Sequence, residues 1–297
     1  MSRTTRGPVR FRKSLLALAI GTALAPYTAS ALDLAQAPPG TTQPYVRPNV
    51  IISIDDSGSM NYRLDVENAG GATNNTTPNA DETWPMTSRR MNVLKYSLAK
   101  VFNDTTLLPE KKIRLAWQAM NANNSTPGTL TVGATNSMKV LTDGATGHRA
   151  NFLTFVNNLS PSGSTPAHKP FRQADAFMRE PLSQDGPWAA TPGSQGAPYL
   201  ACRRNYHIMM TDGRWNGDVS GGSQDDNTVN RTLPDGTVYG STNPALRPNN
   251  KLYHDPYSNT LADWAFRSWA DPLQTTGLTG AMQPGVDYRK APATESF

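Results

Sequence analysis

The sequence predicts an α/β protein: a doubly wound, mostly parallel sheet with helices on both faces. Three observations predict it. Val50 to Ile54 and Tyr206 to Met210 are apolar runs that each lead into an aspartate within a short polar turn. Such runs fit strands covered on both faces, delivering polar side chains at their C-terminal tips. Between them, strand-like runs alternate with stripes of helical period at 88–102, 149–159 and 167–179.

The elements follow in order within a domain spanning 49–275. Strand 50–54 is the most uniformly apolar and is expected at the centre of the sheet. Asp65 to Pro85 is rich in Asn, Thr and Gly without apolar periodicity, which predicts a mobile surface insertion over 65–85. Ser88 to Phe102 then places Met91, Leu94, Leu98, Val101 and Phe102 at helical spacing. Ile113 to Met120 reads as a strand, with shorter ones expected at Leu130 to Val132 and Met138 to Leu141. Phe152, Phe155, Val156 and Leu159 form the buried stripe of the next helix. Pro166 stands at the opening of the helix that follows, with His168 and Lys169 expected in solvent near its start. Insertions are expected over 181–198, which holds four prolines, and over 213–250. The last helix, Thr260 to Trp269, is expected to turn Leu261, Trp264, Ala265 and Trp269 inward. No repeat, heptad or membrane-spanning run is present.

Composition narrows the setting. The chain has 297 residues, 37% hydrophobic, with 24 Pro, 23 Gly and a mean hydropathy of -0.53, as for one domain carrying long polar loops. Arg3, Arg6, Arg10, Arg12 and Lys13 precede an apolar run from Leu15 to Leu24, and Ala29-Ser30-Ala31 offers a small-x-small cleavage site. Residues 1–31 therefore read as a secretory signal peptide for the general export route, too short in its apolar core to span a membrane. Residues 32–48 form an extended leader. Removing 1–31 lowers Lys+Arg from 28 to 23, level with the 23 Asp+Glu, so the basic pI is no argument for nucleic acid. Cys202 is the sole cysteine, and its place before a predicted central strand suggests burial.

The chemistry lies in the turns. Asp55-x-Ser57-x-Ser59 presents one carboxylate and two hydroxyls, and Gly58 lets the loop curl so that all three aim at one point. Oxygen donors gathered at the end of a parallel strand suit a hard divalent cation such as Mg²⁺. Tyr206 to Met210 ends in Thr211-Asp212-Gly213, again a carboxylate at a strand tip, and Gly163-Ser164-Thr165-Pro166 lies between in a polar loop. This ordered set resembles the metal-ion-dependent adhesion site of von Willebrand factor A domains. The resemblance implies that Asp55, Ser57, Ser59, Thr165 and Asp212 surround one cation, some through water, with Mg²⁺ the expected ion and Ca²⁺ or Mn²⁺ the alternatives.

A narrower resemblance covers roughly residues 45 to 290. Cys202-Arg203-Arg204-Asn205-Tyr206-His207-Ile208-Met209-Met210-Thr211-Asp212-Gly213 and the stretch Asp255 to Pro272 are similar to PilY-type proteins of the type IV pilus. That family implies an exported protein of the periplasm, outer membrane or pilus surface, with 276–297 leading toward a larger C-terminal propeller. It also implies a metal-dependent adhesion or assembly module. Its expected partner is a protein presenting an acidic side chain, either a pilus subunit or a host surface molecule. The alternative is a Mg²⁺-dependent phosphoryl-transfer enzyme using Asp55, but that chemistry wants a second Asp where Ser57 stands, so no catalytic residue is expected. Gly217-Asp218-Val219-Ser220-Gly221-Gly222 resembles a protease nucleophile loop, but Val219 interrupts it and no His–Asp pair supports it. The four histidines lack zinc spacing, and Asp225-Asp226 lacks the donor alternation of a calcium loop.

Overall fold

The computed structural model describes residues 46–123, 127–200, 203–213, 215–217, 231–232, 238–239, 257 and 259–274. The chain divides at Val46 into two compact units, and the second, from Arg47 onward, holds every element below. The expected signal peptide, nearly all of the leader, Cys202, Asp225-Asp226, the protease-like Asp218 to Gly222, most of the 213–250 insertion and 276–297 lie outside the described residues.

Strand β1 (Asn49–Ile54) is central, as its uniform apolarity predicts. It pairs in parallel with β2 (Arg114–Ala119) on one side and β4 (Asn205–Met210) on the other. A two-residue β3 (Lys139–Val140) adds antiparallel to β2, giving the order β3-β2-β1-β4. Ile54 is in register with both Ala119 and Met210, so the three parallel strands end flush. A separate hairpin joins β5 (Arg231–Thr232) to β6 (Val238–Tyr239).

Alternation along the strands splits the core in two, because successive side chains point to opposite faces. Ile52, Ile54, Leu115 and Trp117 pack against Met91, Leu98 and Phe102 of α1 (Arg90–Asn103) and Phe152 and Phe155 of α2 (His148–Asn158). Ile51 and Ala116 on the other face meet Ala174, Phe177 and Met178 of α3 (His168–Arg179). The sheet is therefore doubly wound, with helices on both faces. A fourth helix, α4 (Leu261–Ala270), docks on α3. The buried Asp175 of α3 accepts hydrogen bonds from Arg179 Nε and Arg267 Nη1, both at 2.9 Å, and from Ser268 Oγ.

A polar seam fixes α3 to the sheet. Gln118 Nε2 donates to Ser53 Oγ at 2.8 Å and to the Pro170 carbonyl at 2.6 Å. Ser53 Oγ lies 2.7 Å from His207 Nε2, linking three strands and the first turn of α3. Burial presses the His207 imidazole down to about 4. The ring also packs against Phe171 at 5.2 Å, as part of this seam.

Several elements differ from the sequence expectation. Leu130 to Val132 is a loop rather than a strand, because Asn136 Nδ2 binds the carbonyls of Trp117, Pro127 and Thr129 and occupies the chain that would pair. Val101 is 42% exposed; at 3.6 residues per turn it points about 70° away from the Met91–Leu98 stripe. In α4 the buried positions are Asp263, Trp264, Phe266 and Ala270, whereas Ala265 is exposed. A capping box between Thr260 and Asp263 rotates the helix so that Asp263 faces inward. His168 is 1% exposed, not solvated, because its ring packs edge-on to Trp215 at 4.7 Å. The 65–85 insertion is laid along α1: Thr73 bridges to Ser88, Asn92 Nδ2 donates to the Asn75 carbonyl at 2.8 Å, and Trp84 meets Tyr96 at 5.5 Å. The 181–198 insertion places Trp188 and Ala189 in the interior. Finally, β4 is at the rim of the described sheet rather than in its middle, which leaves Tyr206 and Ile208 half exposed.

Candidate metal centre

The flush ends of β1, β2 and β4 hold the predicted residues. As β1 ends, Asp55 N donates to the Met210 carbonyl at 2.9 Å, completing the pairing with β4. The Asp55 carboxylate then folds back: Oδ1 accepts Ser57 N–H at 2.8 Å and Oδ2 accepts the Thr211 hydroxyl at 2.9 Å. A short 3₁₀ turn, Gly58–Asn61, carries Ser59 around beside Ser57, with their hydroxyls 2.9 Å apart. Ser59 Oγ donates to Asp212 Oδ1 at 3.0 Å. Asp55, Ser57, Ser59 and Asp212 thus form one connected group, crossing from the tip of β1 to the tip of β4.

Thr165 arrives through its backbone. Gly58 N donates to the Gly163 carbonyl at 2.9 Å, and a Cβ at residue 58 would stand 3.3 Å from that oxygen. Glycine is what lets the two loops approach. Gly163 itself has φ +84°, the left-handed turn that leads into Thr165. Asn216 clasps Thr165 from the β4 side: Thr165 N donates to Asn216 Oδ1 and Asn216 N to the Thr165 carbonyl, each at 2.9 Å. Thr165 is buried within this clasp and joins the other four through these loop contacts.

Asp55 and Asp212 lie within this group, Asp56 adjoins it, and Arg90 stands beside Asp212. Asp55 and Asp56 are both 0% exposed, and among the described residues neither has a basic partner at ion-pair distance. Asp56 turns away from the group, accepting Asn121 N–H at 2.7 Å and Asn123 N–H at 2.8 Å. Its pKa is raised, chiefly by burial; those amides offset part of the shift, and the Asp55 charge adds to it. Arg90 Nη1 reaches Asp212 Oδ2 at 2.9 Å. Burial lowers the Arg90 pKa, but its hydrogen bonds to Asp212 and Glu67 outweigh burial and leave it above the ordinary value.

Hard oxygen donors with a surplus of buried negative charge fit a small divalent cation, because an unpaired buried carboxylate is costly. Among the described residues no three His, Cys, Asp or Glu side chains gather as a ligand cluster. The donor set is instead two carboxylates and a row of hydroxyls.

Sequence reasoning missed Arg90, Asp56 and Asn216. Arg90 left a trace: Arg89 and Arg90 sit at a helix N-terminus, where a positive charge opposes the helix dipole unless an anion answers it. Asp56 was visible only as a second acid in the turn, and Asn216 left no local signal.

No family model matches the chain, and no solved structure matches it. Curated relatives do. The type IV pilus biogenesis factor PilY1 of Pseudomonas aeruginosa strain PAK is 39% identical over 182 residues, covering 61% of this chain and 14% of that protein. PilY1 of strain PAO1 is 38% identical over 182 residues, with 61% and 15% covered. PilY1 of strain UCBPP-PA14 is 32% identical over 194 residues, with 64% and 14% covered. The chain spans about one-seventh of the length of these relatives. Over 61–64% of its own length, it is similar to the type IV pilus biogenesis factors named PilY1.

Proposed function

We propose that this chain is a metal-dependent protein-binding module of a type IV pilus system, exported to the periplasm, outer membrane or pilus surface. In this reading Asp55, Ser57, Ser59, Thr165 and Asp212 hold a divalent cation, Mg²⁺ first, in a centre of the von Willebrand factor A kind. The observation that carries it is the connected Asp55–Ser57–Ser59–Asp212 group around the fully buried Asp55 carboxylate, which has no basic partner among the described residues. Similarity to the PilY1 factors supports the pilus setting. No helix among the described residues is long and apolar enough to cross a membrane.

Two carboxylates do not fill the shell of a divalent ion, so neutral oxygens complete it and leave the ion electrophilic. A bound cation supplies a point that accepts a carboxylate from a partner, such as a pilus subunit or host surface molecule. Binding is favoured over phosphoryl transfer. Ser57, at the position where that chemistry places a second acid, has its hydroxyl beside Ser59 instead.

The test is thermal denaturation with and without MgCl₂. The wild-type chain gains stability with Mg²⁺, and Asp55→Ala loses the gain while keeping its fold. Equal shifts in both sink the metal reading. Partner capture should vanish with chelator and with Thr165→Ala; capture that survives both places the binding face elsewhere.

A further inference from the structure

The opposite end of the sheet carries the opposite charge. Arg47 precedes β1, Arg114 opens β2, and Arg203 stands two residues before β4. Asn49 is in register with both Arg114 and Asn205, so all three arginines gather at the N-terminal ends of adjacent strands. Arg114 is 0% exposed and Arg203 8%.

Among the described residues their partners are all neutral. Arg114 Nη1 donates to the Pro187 carbonyl at 2.9 Å. Arg203 donates to the Arg47 and Ala190 carbonyls at 2.8 and 3.2 Å, and Arg47 Nε to the Lys111 carbonyl. Among the described residues no Asp or Glu lies at ion-pair distance from any of the three. Arg114 Nε and Nη2 and Arg203 Nε are buried without a hydrogen-bond partner among the described residues. Burial, then repulsion from Arg203 and Arg47, pulls Arg114 down to about 9; burial, then repulsion from Arg47, also lowers Arg203.

Water meets an orphaned N–H but does not offset a buried charge. The identity of the idle atoms says more. Nε and Nη2 of one guanidinium share an edge, and that edge is the fork with which arginine grips a carboxylate or phosphate through two parallel bonds. Arg114 spends Nη1 on Pro187 and keeps this fork idle, with Arg203 and Arg47 beside it.

We propose that Arg47, Arg114 and Arg203 form an anion site at the N-terminal end of the sheet. It takes one small oxoanion, a phosphate or carboxylate group, gripped by the Arg114 fork. The site is separate from the carboxylate-lined end and independent of any metal there. Pro187 and Ala190, which receive two of the arginines, make the 181–198 insertion one wall of it.

The experiment is thermal denaturation of the full chain in EDTA, with sodium phosphate, sodium acetate or sodium chloride at matched ionic strength. Phosphate, acetate or both raise the melting temperature of the wild type above the chloride control. A response to phosphate alone identifies a free or tethered phosphate group as the ligand. A response to acetate identifies a carboxylate, as a polypeptide side chain would supply. Arg114→Met removes the buried charge while keeping its volume, so its melting temperature in chloride is at or above that of the wild type and the anion response is gone. Arg203→Gln needs about tenfold more anion for half the response. No response beyond chloride in the wild type overturns the proposal, as does a response that persists in both variants.

Discussion

Arg90 Nη1 lies 2.9 Å from Asp212 Oδ2, while Ser59 Oγ holds Oδ1 of the same carboxylate at 3.0 Å. The acid at the tip of β4 therefore divides its charge between a tethered cation and the hydroxyl row. Arg90 also binds the Arg63 carbonyl at 3.1 Å and Glu67 at 3.3 Å, so the same side chain anchors the chain that leaves the Asp55–Ser59 loop.

If the proposed cation binds here, a guanidinium this close repels it and competes for Asp212. Arg90→Gln keeps an N–H donor to Asp212 and removes the charge. Mn²⁺ affinity, read by titration calorimetry, should rise by about tenfold, within the usual coupling between neighbouring groups. Arg90→Lys should stay near the wild type. Weaker binding by the Gln variant would show that Arg90 chiefly holds Asp212 in position.

Acid should weaken the fold through His148. Its Nε2 bonds the Leu115 carbonyl at 2.7 Å, its ring meets Trp117 at 4.7 Å, and burial presses its pKa from 6.5 to about 4. Below the ordinary value the unfolded chain takes up a proton that the folded chain refuses. Stability present above pH 6.5 is therefore lost as pH falls towards about 4. For this group the loss is at most about 3 kcal/mol. His207 should act in the same direction, being lowered to about 4 as well. Urea unfolding at neutral and mildly acid pH measures the slope, and His148→Gln should flatten it. An unchanged slope would mean that other groups dominate.

Trp117, at 0% exposure in the middle of β2, meets Phe152 and Phe155 at 5.4 and 6.0 Å. Trp117→Ala should cost roughly 3–5 kcal/mol in urea unfolding. Its buried Nε1 has no hydrogen-bond partner among the described residues, so Trp117→Phe forfeits packing alone and should cost less than ~2 kcal/mol. A Phe variant as unstable as the Ala variant would point to an unseen bond at the indole nitrogen.

The sheet was legible in the sequence because its signals are local. Ile51, Ile52 and Ile54 mark a strand buried on both faces, and Phe152, Phe155 and Val156 mark a helix by spacing alone. The turn chemistry was legible for the same reason: Asp55, Ser57 and Ser59 alternate within five residues. Contacts made by distant segments were not. His168 looked solvated because nothing nearby in sequence announces Trp215 above it. The role of Arg90 depends on Asp212, which lies 122 residues away. Val101 and Ala265 failed for a finer reason: a helical stripe gives the buried face but not its width.

Asp56 has a mechanical consequence. Its carboxylate holds the amides of Asn121 and Asn123, and its carbonyl accepts Ser162 N–H. Asn121 Nδ2 and Asn123 Nδ2 in turn bind the carbonyls of Ser164 and Ser162 at 2.7 and 2.6 Å. Three loops are thereby riveted into one anvil, and the 55–59 turn cannot shift without dragging the other two. The 211–217 segment meets this block through Thr211 on Asp55, Asp212 on Ser59 and Asn216 on Thr165. The same end of the sheet is thereby joined to the helices of one face: Trp215 rests on His168 of α3, and Asp175 of α3 binds Arg267 and Ser268 of α4.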